Sequence, residues 1–308
     1  MAGLTLLLPP ATRFAGVALP PPLAKALGRA DRVQADEGEP ALLARHFDLL
    51  PRGWSPAALT RLLDAGEDDA RRGAWLRVDP AHIRPDINGA RLLGVGTNVG
   101  MAQDDVDALL PALRPLFGDA GFALDVPHPA RWYLRLPREA RLPAFAPPDV
   151  ALGDDVFDHI PRGDDARRWR ALESEVQIVL HNHAHNAARL AAGKVPVNTL
   201  WFWGGGVLPD AVSSHAPTVY SDDPAVLGAA RLGKLQGMPL SAFREHERHA
   251  LVDLRGQRDA RALVERWLLP AAAGAREVVF DFADGARFSL RPQQRWRFWR
   301  KPLGMLSA

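Results

Sequence analysis

The stretch that most constrains this chain is residues 173–206, which read ESEVQIVLHNHAHNAARLAAGKVPVNTLWFWGGG. Apolar residues recur at helical spacing from 176 to 180, and histidines, asparagines and an arginine continue the predicted helix. Gly193 is typical of a helix C-terminus, and residues 198–203 predict a buried strand that leads into three glycines. Because α/β proteins place ligands where helices, strand ends and open backbone meet, this stretch predicts a ligand site.

The polar residues of this stretch define the predicted site. Arg189 offers a forked donor for a carboxylate or phosphate, and the glycine run offers backbone N–H groups. Two structural interpretations stay open: the polar side chains hold two lobes together, or the glycines let the backbone pass close beneath Trp201 and Trp203. The predicted ligand-binding residues are His183, Asn186, Arg189, Asn198, Gly204, Gly205 and Gly206.

The histidines of the stretch argue against a metal site. His181 and His185 share a face of the predicted helix, whereas His183 points to the other side, so the three cannot hold one ion. Elsewhere, Asp79 and His82 form a candidate acid and base pair, although a turn-stabilising Asp79 is the favoured interpretation. We expect neither a metal nor a cofactor.

The segment RWRFWRK at residues 295–301 is the only concentration of basic and aromatic residues. It could stack on nucleic-acid bases, or it could bury its aromatic rings in an edge strand. With a net charge of only +2, the sequence argues against a nucleic acid as partner.

Three fragments of the chain carry a resemblance to known proteins. The run from His183 to Gly206 resembles the archaeal-type cofactor-independent phosphoglycerate mutases of the alkaline phosphatase superfamily, mainly within residues 73–240. Together with residues 75–86 and 296–300, the same run is still more similar to the bacterial RpfE-type regulatory proteins, which are relatives of those mutases. This second likeness covers most of the chain from Trp75 onward.

The mutase resemblance implies an Asp after the first strand, a Ser or Thr nucleophile, and later Asp and His pairs that hold two divalent metals. Here the first predicted strand, Leu4 to Leu8, runs into PPATR without a carboxylate, and no His accompanies Asp253 or Asp281 in the expected motifs. Since two-metal chemistry needs ligands for both ions, we expect a catalytically degenerate protein with a regulatory or ligand-sensing role, and not an enzyme. One alternative is a nucleic-acid-binding regulator. Another is a metal-dependent phosphatase or mutase with a rewired site, its ligands drawn from Asp79, His82, His181, His183 and Asp222.

Strands that alternate with helices predict an α/β fold, with a mainly parallel phosphatase-superfamily-like sheet flanked by helices and an antiparallel edge. Residues 1–72 and 161–308 are assigned to this core, and residues 73–160 to an inserted, small, β-rich α+β subdomain. Asp284-Gly285 predicts a hairpin.

Composition limits the remaining choices. The chain of 308 residues has no cysteine, which excludes disulfides and thiolate chemistry and fits a reducing cytoplasm. No long apolar run or signal peptide is evident, so we expect a cytoplasmic protein without a membrane partner. A small anionic metabolite is the expected partner, and the oligomeric state is left open.

Overall fold

The computed structural model describes residues 3–87, 89–163, 165–245, 247, 249–274 and 276–306. The chain divides into two compact units. Unit 1 contains Met1–Trp54 and Pro209–Ala308, and unit 2 contains Ser55–Leu208. Unit 2 is therefore an insertion in the sequence of unit 1.

The described residues form fourteen strands: β1 (Leu4–Leu8), β2 (Asp31–Gln34), β3 (Asp48–Leu50), β4 (Ala74–Asp86), β5 (Gly89–Val95), β6 (Ala123–His128), β7 (Arg131–Leu136), β8 (Thr199–Val207), β9 (Ala211–Ser213), β10 (Thr218–Tyr220), β11 (Gln236–Met238), β12 (Ala250–Asp253), β13 (Val278–Phe282) and β14 (Ala286–Leu290).

The helices in the described part of the chain are α1 (Pro21–Arg29), α2 (Glu39–Ala44), α3 (Pro56–Ala65), α4 (Glu67–Ala70), α5 (Gln103–Asp119), α6 (Pro148–Ala151), α7 (Ala166–His181), α8 (Ala184–Ala191), α9 (Pro224–Leu232), α10 (Ala260–Leu263) and α11 (Leu269–Ala273). A π-helical turn, Val264–Leu268, joins the last two.

Unit 1 is built on a seven-stranded sheet in the order β11-β10-β12-β1-β13-β14-β2. Its first five strands run parallel, and β14 and β2 add an antiparallel edge. All five residues of β1 are buried, as expected for a central strand covered on both faces. The predicted mainly parallel α/β fold with an antiparallel edge is confirmed.

The predicted hairpin between β13 and β14 is also confirmed. Gly285 has a φ of +82°, and a Cβ there would lie 2.1 Å from the carbonyl oxygen of Ala35. The turn therefore needs glycine for both its backbone conformation and the close approach of the chain beyond β2. Residues 31–34 form β2, which pairs with β14 as the last strand of the antiparallel edge.

Unit 2 is built on a five-stranded antiparallel sheet around β4. This strand of 13 residues pairs with β5, β7 and β8, so it is the centre of the sheet. A core of buried apolar side chains from α5 and α7, including Leu113, Phe117 and Trp169, covers one face.

The extent of unit 2 differs from the predicted subdomain of residues 73–160. Strand β8 joins unit 2 because it pairs with β4 from Thr199 opposite Ala81 to Val207 opposite Ala74. Helix α7 joins it because Val176 and Leu180 share one core with α5. The predicted boundary at residue 160 thus falls inside a compact unit.

The local predictions for residues 173–206 need two corrections. The predicted helix is broken, because His183 is extended and caps α8 by accepting a hydrogen bond from the backbone N–H of His185. The three glycines form no loop, because they lie within β8: Gly206 pairs with Trp75 of β4, and Gly204 and Gly205 fall at a shift in the register of the two strands.

The C-terminal segment also differs from the edge strand considered for it. Residues Pro292–Trp296 form a 3₁₀ helix. Trp296, Phe298 and Trp299 are 59%, 68% and 76% exposed, so they are not buried as that interpretation requires. None of the described helices is both long and apolar enough to cross a membrane.

Candidate functional site

Asn186, one of the predicted ligand-binding residues, forms hydrogen bonds with the backbone of unit 2 through both polar atoms of its side chain. The side chain is buried, and its Nδ2 donates to the carbonyls of Leu180, at 2.7 Å, and Val197, at 2.8 Å. Its Oδ1 accepts from the backbone N–H of Val197 at 2.9 Å. Asn186 therefore fastens the end of α7 to the residues that lead into β8.

Arg189 is held in a similar way. Its Nε donates to the carbonyl of Val195 at 3.0 Å and its Nη2 to that of Val99 at 2.8 Å. Its Nη1 lies 2.5 Å from Oδ2 of Asp105. This contact is an ion pair but not a hydrogen bond, because the N–H groups of Nη1 do not point at the carboxylate oxygen. With a relative exposure of 2%, the guanidinium is surrounded by the protein's own acceptors.

Asp105 is the centre of this polar cluster. Its carboxylate also accepts from the backbone N–H of Ala102 at 2.9 Å and contacts Nε2 of His185 at 2.7 Å. Burial alone would raise the pKa of Asp105, but the Ala102 N–H, His185 and Arg189 outweigh it and lower that pKa to about 2. The carboxylate is therefore charged at neutral pH and holds α8 to the start of α5.

The other predicted residues lie along β8. Asn198 exchanges two hydrogen bonds with the backbone of Ile83, at 2.7 and 2.9 Å, and so extends the β4–β8 pairing. A Cβ on Gly204 or Gly206 would meet Pro56 at 3.0 Å or Ser55 at 2.9 Å, so the start of α3 covers the glycines. At about 3.3 Å per residue, Asn198 and Gly204 are about 20 Å apart. The structure therefore brings Asn186 near Asn198 but not near the glycines, and ligand binding by this set stays a prediction.

The candidate pair of Asp79 and His82 is not formed by hydrogen bonding. Asp79 lies inside β4, not at a turn, and its hydrogen bonds come from Arg77 at 2.8 and 2.6 Å, Trp203 at 2.7 Å and the Trp132 backbone at 3.3 Å. Burial lowers the pKa of His82, whose Nδ1 has no hydrogen-bond partner among the described residues.

A second polar cluster, which the sequence analysis did not identify, lies at the carboxyl edge of the parallel sheet in unit 1. Asp253 of β12 and Asp281 of β13 both stand opposite Leu7 of β1, one on each side. Aligned residues of parallel strands point to the same face, so the two carboxylates share a face about 10 Å apart. Ser221, which follows β10, donates to Oδ2 of Asp253 at 2.8 Å. We call these residues and their partners the carboxyl-edge cluster.

Arg255 neutralises one half of the carboxyl-edge cluster. Its guanidinium binds Asp253 through two bonds of 2.8 and 2.9 Å, Asp223 at 3.0 Å and Glu39 at 2.6 Å. Burial alone would lower the pKa of Arg255, but the three carboxylates outweigh burial and raise it further above its usual range. Asp223 also caps α9, because its side chain accepts a hydrogen bond from the backbone N–H of Ala225.

Arg45 neutralises the other half, and His46 contacts the same carboxylate. Arg45 donates to both oxygens of Asp281, at 2.8 and 3.2 Å, and Nε2 of His46 lies 2.8 Å from Oδ2. The Asp281 carboxylate is fully buried, and its pKa is lowered because His46 and Arg45 outweigh the effect of burial. A second guanidinium, that of Arg287, is also near this carboxylate, with its Nε 3.7 Å from Oδ2.

The donors at this edge do not fit the two divalent metals that the mutase resemblance implies. An ion would need several carboxylate or imidazole ligands free of competing cations. Here a guanidinium already occupies the space between the carboxylates of Asp253, Asp223 and Glu39, and two more face Asp281. Within the described part of the chain, no group of three or more His, Asp or Glu is arranged to hold a metal.

Comparison with known proteins finds partial similarity to phosphoglycerate mutases. Over 69 residues, 22% of this chain and 17% of the relative, the chain is 41% identical to a probable 2,3-bisphosphoglycerate-independent phosphoglycerate mutase of Geobacter sulfurreducens. Over 136 residues, 44% of this chain and 32% of the relative, it is 29% identical to the corresponding enzyme of Methanosarcina mazei. The matched segments thus span at most about a third of these relatives.

Two solved structures also align with the chain, at low sequence identity. A cofactor-independent phosphoglycerate mutase from Thermoplasma acidophilum aligns with 94% of this chain and 90% of its own, at 15% identity and a TM-score of 0.43. The PH0037 protein of Pyrococcus horikoshii aligns with 98% and 91%, at 15% identity and a TM-score of 0.47. No protein-family model matches the chain. The chain is therefore similar in part to the mutases, and the RpfE-type likeness stays a prediction.

Proposed function

We propose that this protein is a catalytically inactive relative of the phosphoglycerate mutases, which senses a small anionic metabolite in the bacterial cytoplasm and has a regulatory role like that of the RpfE-type proteins. One observation carries the proposal. The buried carboxylates of the carboxyl-edge cluster receive their positive charge from Arg255 and Arg45 of the same chain. A guanidinium fixes charge but cannot activate a water or accept an oxygen ligand as a metal ion does.

The surroundings of Asp281 favour an anion as ligand. Two guanidiniums, of Arg45 and Arg287, and the imidazole of His46 face this single carboxylate. Arg287 is the least committed of them, because its side chain is 39% exposed and its Nε lies 3.7 Å from the carboxylate, beyond hydrogen-bond distance. A phosphate or carboxylate near Arg287 would gain charge-assisted hydrogen bonds at the edge where α/β sheets usually bind ligands.

The first test is enzymatic. We expect the purified protein to show no phosphoglycerate mutase activity with manganese or magnesium, and a chelator to leave its melting temperature unchanged. Turnover that requires manganese and stops with the chelator would instead establish the alternative of a metal-dependent phosphatase or mutase.

The second test is ligand binding. Phosphorylated three-carbon acids should raise the melting temperature, since a ligand that binds only the folded state stabilises it by mass action. Arg287→Ala should lose this rise, whereas Arg13→Ala, at another exposed arginine of unit 1, should retain it. An equal rise in both variants would place the ligand elsewhere.

The exposed C-terminal aromatics favour a second candidate function, single-stranded nucleic-acid binding. The guanidiniums of Arg29 and Arg295 lie over the rings of Phe298 and Trp296, at 5.6 and 5.0 Å from the ring centroids. Stacking of a base on an exposed ring contributes about 1 to 3 kcal/mol. Trp299→Ala should therefore weaken a salt-dependent oligonucleotide complex about 5- to 150-fold.

Phe157, 59% exposed in unit 2, provides the matched control for this test. Phe157→Ala should bind the oligonucleotide as the wild type does. No binding by the wild type at low salt, or equal losses in both variants, would reject the nucleic-acid function.

A further inference from the structure

A small cavity in unit 2 combines aromatic walls with one carboxylate. Its volume is about 20 Å³, and its lining includes Phe145, Val156, Ile160, Trp201 and Phe202. The carboxylate is that of Glu173, which α7 directs towards β8. Neighbouring rings fix the walls, since Phe145 stacks on Phe202 with centroids 6.1 Å apart.

Glu173 has no counter-charge in this cavity. No hydrogen bond or ion pair joins it to another of the described residues, and burial raises its pKa to about 7. The imidazole of His159 also lines the cavity, but its Nε2 is paired with Asp154 at 3.0 Å. On α7 itself, Arg170 directs its guanidinium to the carbonyl of Pro161 at 3.1 Å. A charged Glu173, whose side chain is only partly withdrawn from solvent, therefore has no counter-ion among the described residues.

We propose that this cavity binds a primary ammonium group, with Glu173 as its counter-ion. Aromatic rings attract cations through their electron-rich faces, and a carboxylate among such rings is the arrangement that recognises ammonium ligands. The size restricts the ligand further. A volume of about 20 Å³ accommodates about one water molecule, and an ammonium group is of similar size. A quaternary ammonium is too large. The site uses no residue of the carboxyl-edge cluster, so it goes beyond the proposed metabolite sensing.

The full chain can be tested with methylammonium chloride at pH 8, where Glu173 is charged. Tetramethylammonium chloride at equal ionic strength controls for salt. We expect methylammonium to raise the melting temperature of the wild type and of Glu175→Gln, an exposed glutamate on the same helix. Glu173→Gln should bind at least tenfold more weakly, and tetramethylammonium should have no effect. N-acetyl-lysinamide tests whether the ammonium group comes from a free amine or from a lysine of a partner protein. It should displace methylammonium if the ligand is such a lysine.

Three results would overturn the proposal: no response of the wild type, an equal response in Glu173→Gln, or an equal response to tetramethylammonium. Far-UV circular dichroism checks that Glu173→Gln is folded. If it is not, the wild type at pH 5 replaces it, because protonation of Glu173 should then abolish the methylammonium response. A response retained at pH 5 rejects the site.

Discussion

Replacement of Arg189 by alanine separates the two interpretations of the predicted ligand site. The guanidinium is buried and holds two backbone carbonyls, those of Val99 and Val195, together with the carboxylate of Asp105. Arg189→Ala therefore leaves a buried carboxylate that has lost its strongest counter-charge. Removal of one partner of a buried ion pair costs about 3 to 5 kcal/mol.

This loss should appear as reduced stability of unit 2. For a unit of this size, each kcal/mol lowers the melting temperature by about 2 to 4 °C, so a fall of about 6 to 20 °C is expected. Urea unfolding followed by circular dichroism measures the free energy directly. Arg167→Ala, at an exposed arginine on α7, is the matched control and should change stability by less than about 0.5 kcal/mol.

A double variant sharpens the test. If the cost comes from the unpaired Asp105, then Arg189→Ala combined with Asp105→Ala should destabilise less than the sum of the two single changes. A loss below about 1 kcal/mol for Arg189→Ala would refute this reasoning. If such a variant also lost the stabilisation by phosphorylated acids, Arg189 would be a ligand-binding residue.

Three further predictions follow from individual groups. Because the pKa of Asp105 is lowered to about 2, its contribution is present above the unfolded value of 3.8 and is lost as the pH falls through about 2. Asp105→Asn should thus cost on the order of 2 kcal/mol in urea unfolding at pH 7 and almost nothing at pH 2. Conversely, the pKa of Glu173 is raised from 4.5 to about 7. Glu173→Gln should therefore stabilise the protein by up to about 3 kcal/mol at pH 8 and not at pH 4. The same difference in stability between variant and wild type at both pH values would contradict this prediction. Gly285→Ala should lower the free energy of unfolding by at least about 1 kcal/mol, because alanine is strained at a positive φ and its Cβ would overlap Ala35; an unchanged urea midpoint would contradict this.

The central strand and the hairpin of the unit 1 sheet could be predicted from sequence because their signals are local. Leu4–Leu8 is a run of leucines that is interrupted only by Thr5 and followed by proline, and Asp284-Gly285 joins two strands of five residues. The extent of unit 2 could not be predicted in this way. It depends on pairing between Asp79 and Trp201, which lie far apart in the sequence, and an apolar strand gives no indication of which neighbour it will find.

The polar clusters show the same limit. Asp253 and Arg255 are only two residues apart, so the Asp-x-Arg spacing at a strand end is a local signal for their bidentate contact. Metal-binding motifs of Asp and His do not include this spacing. By contrast, Arg45 reaches Asp281 across 236 positions of sequence, which no spacing rule can detect. Likewise, the polar side chains of residues 183–198 predict a ligand site by residue type alone. Sequence does not show that Asn186 and Asn198 form their hydrogen bonds with nearby backbone groups of the same unit.

The carboxyl-edge cluster links the fold to the proposed loss of catalysis. Asp253 and Asp281 are almost completely buried on one face of the sheet, and a buried carboxylate must be paired or protonated. In a two-metal enzyme the ions supply that charge, so the sheet edge depends on them. In this chain Arg255 and Arg45 supply it permanently, because a guanidinium does not lose its proton in a protein. The edge can therefore remain folded without ions, and in the proposed function the partly exposed Arg287 beside it binds the anion.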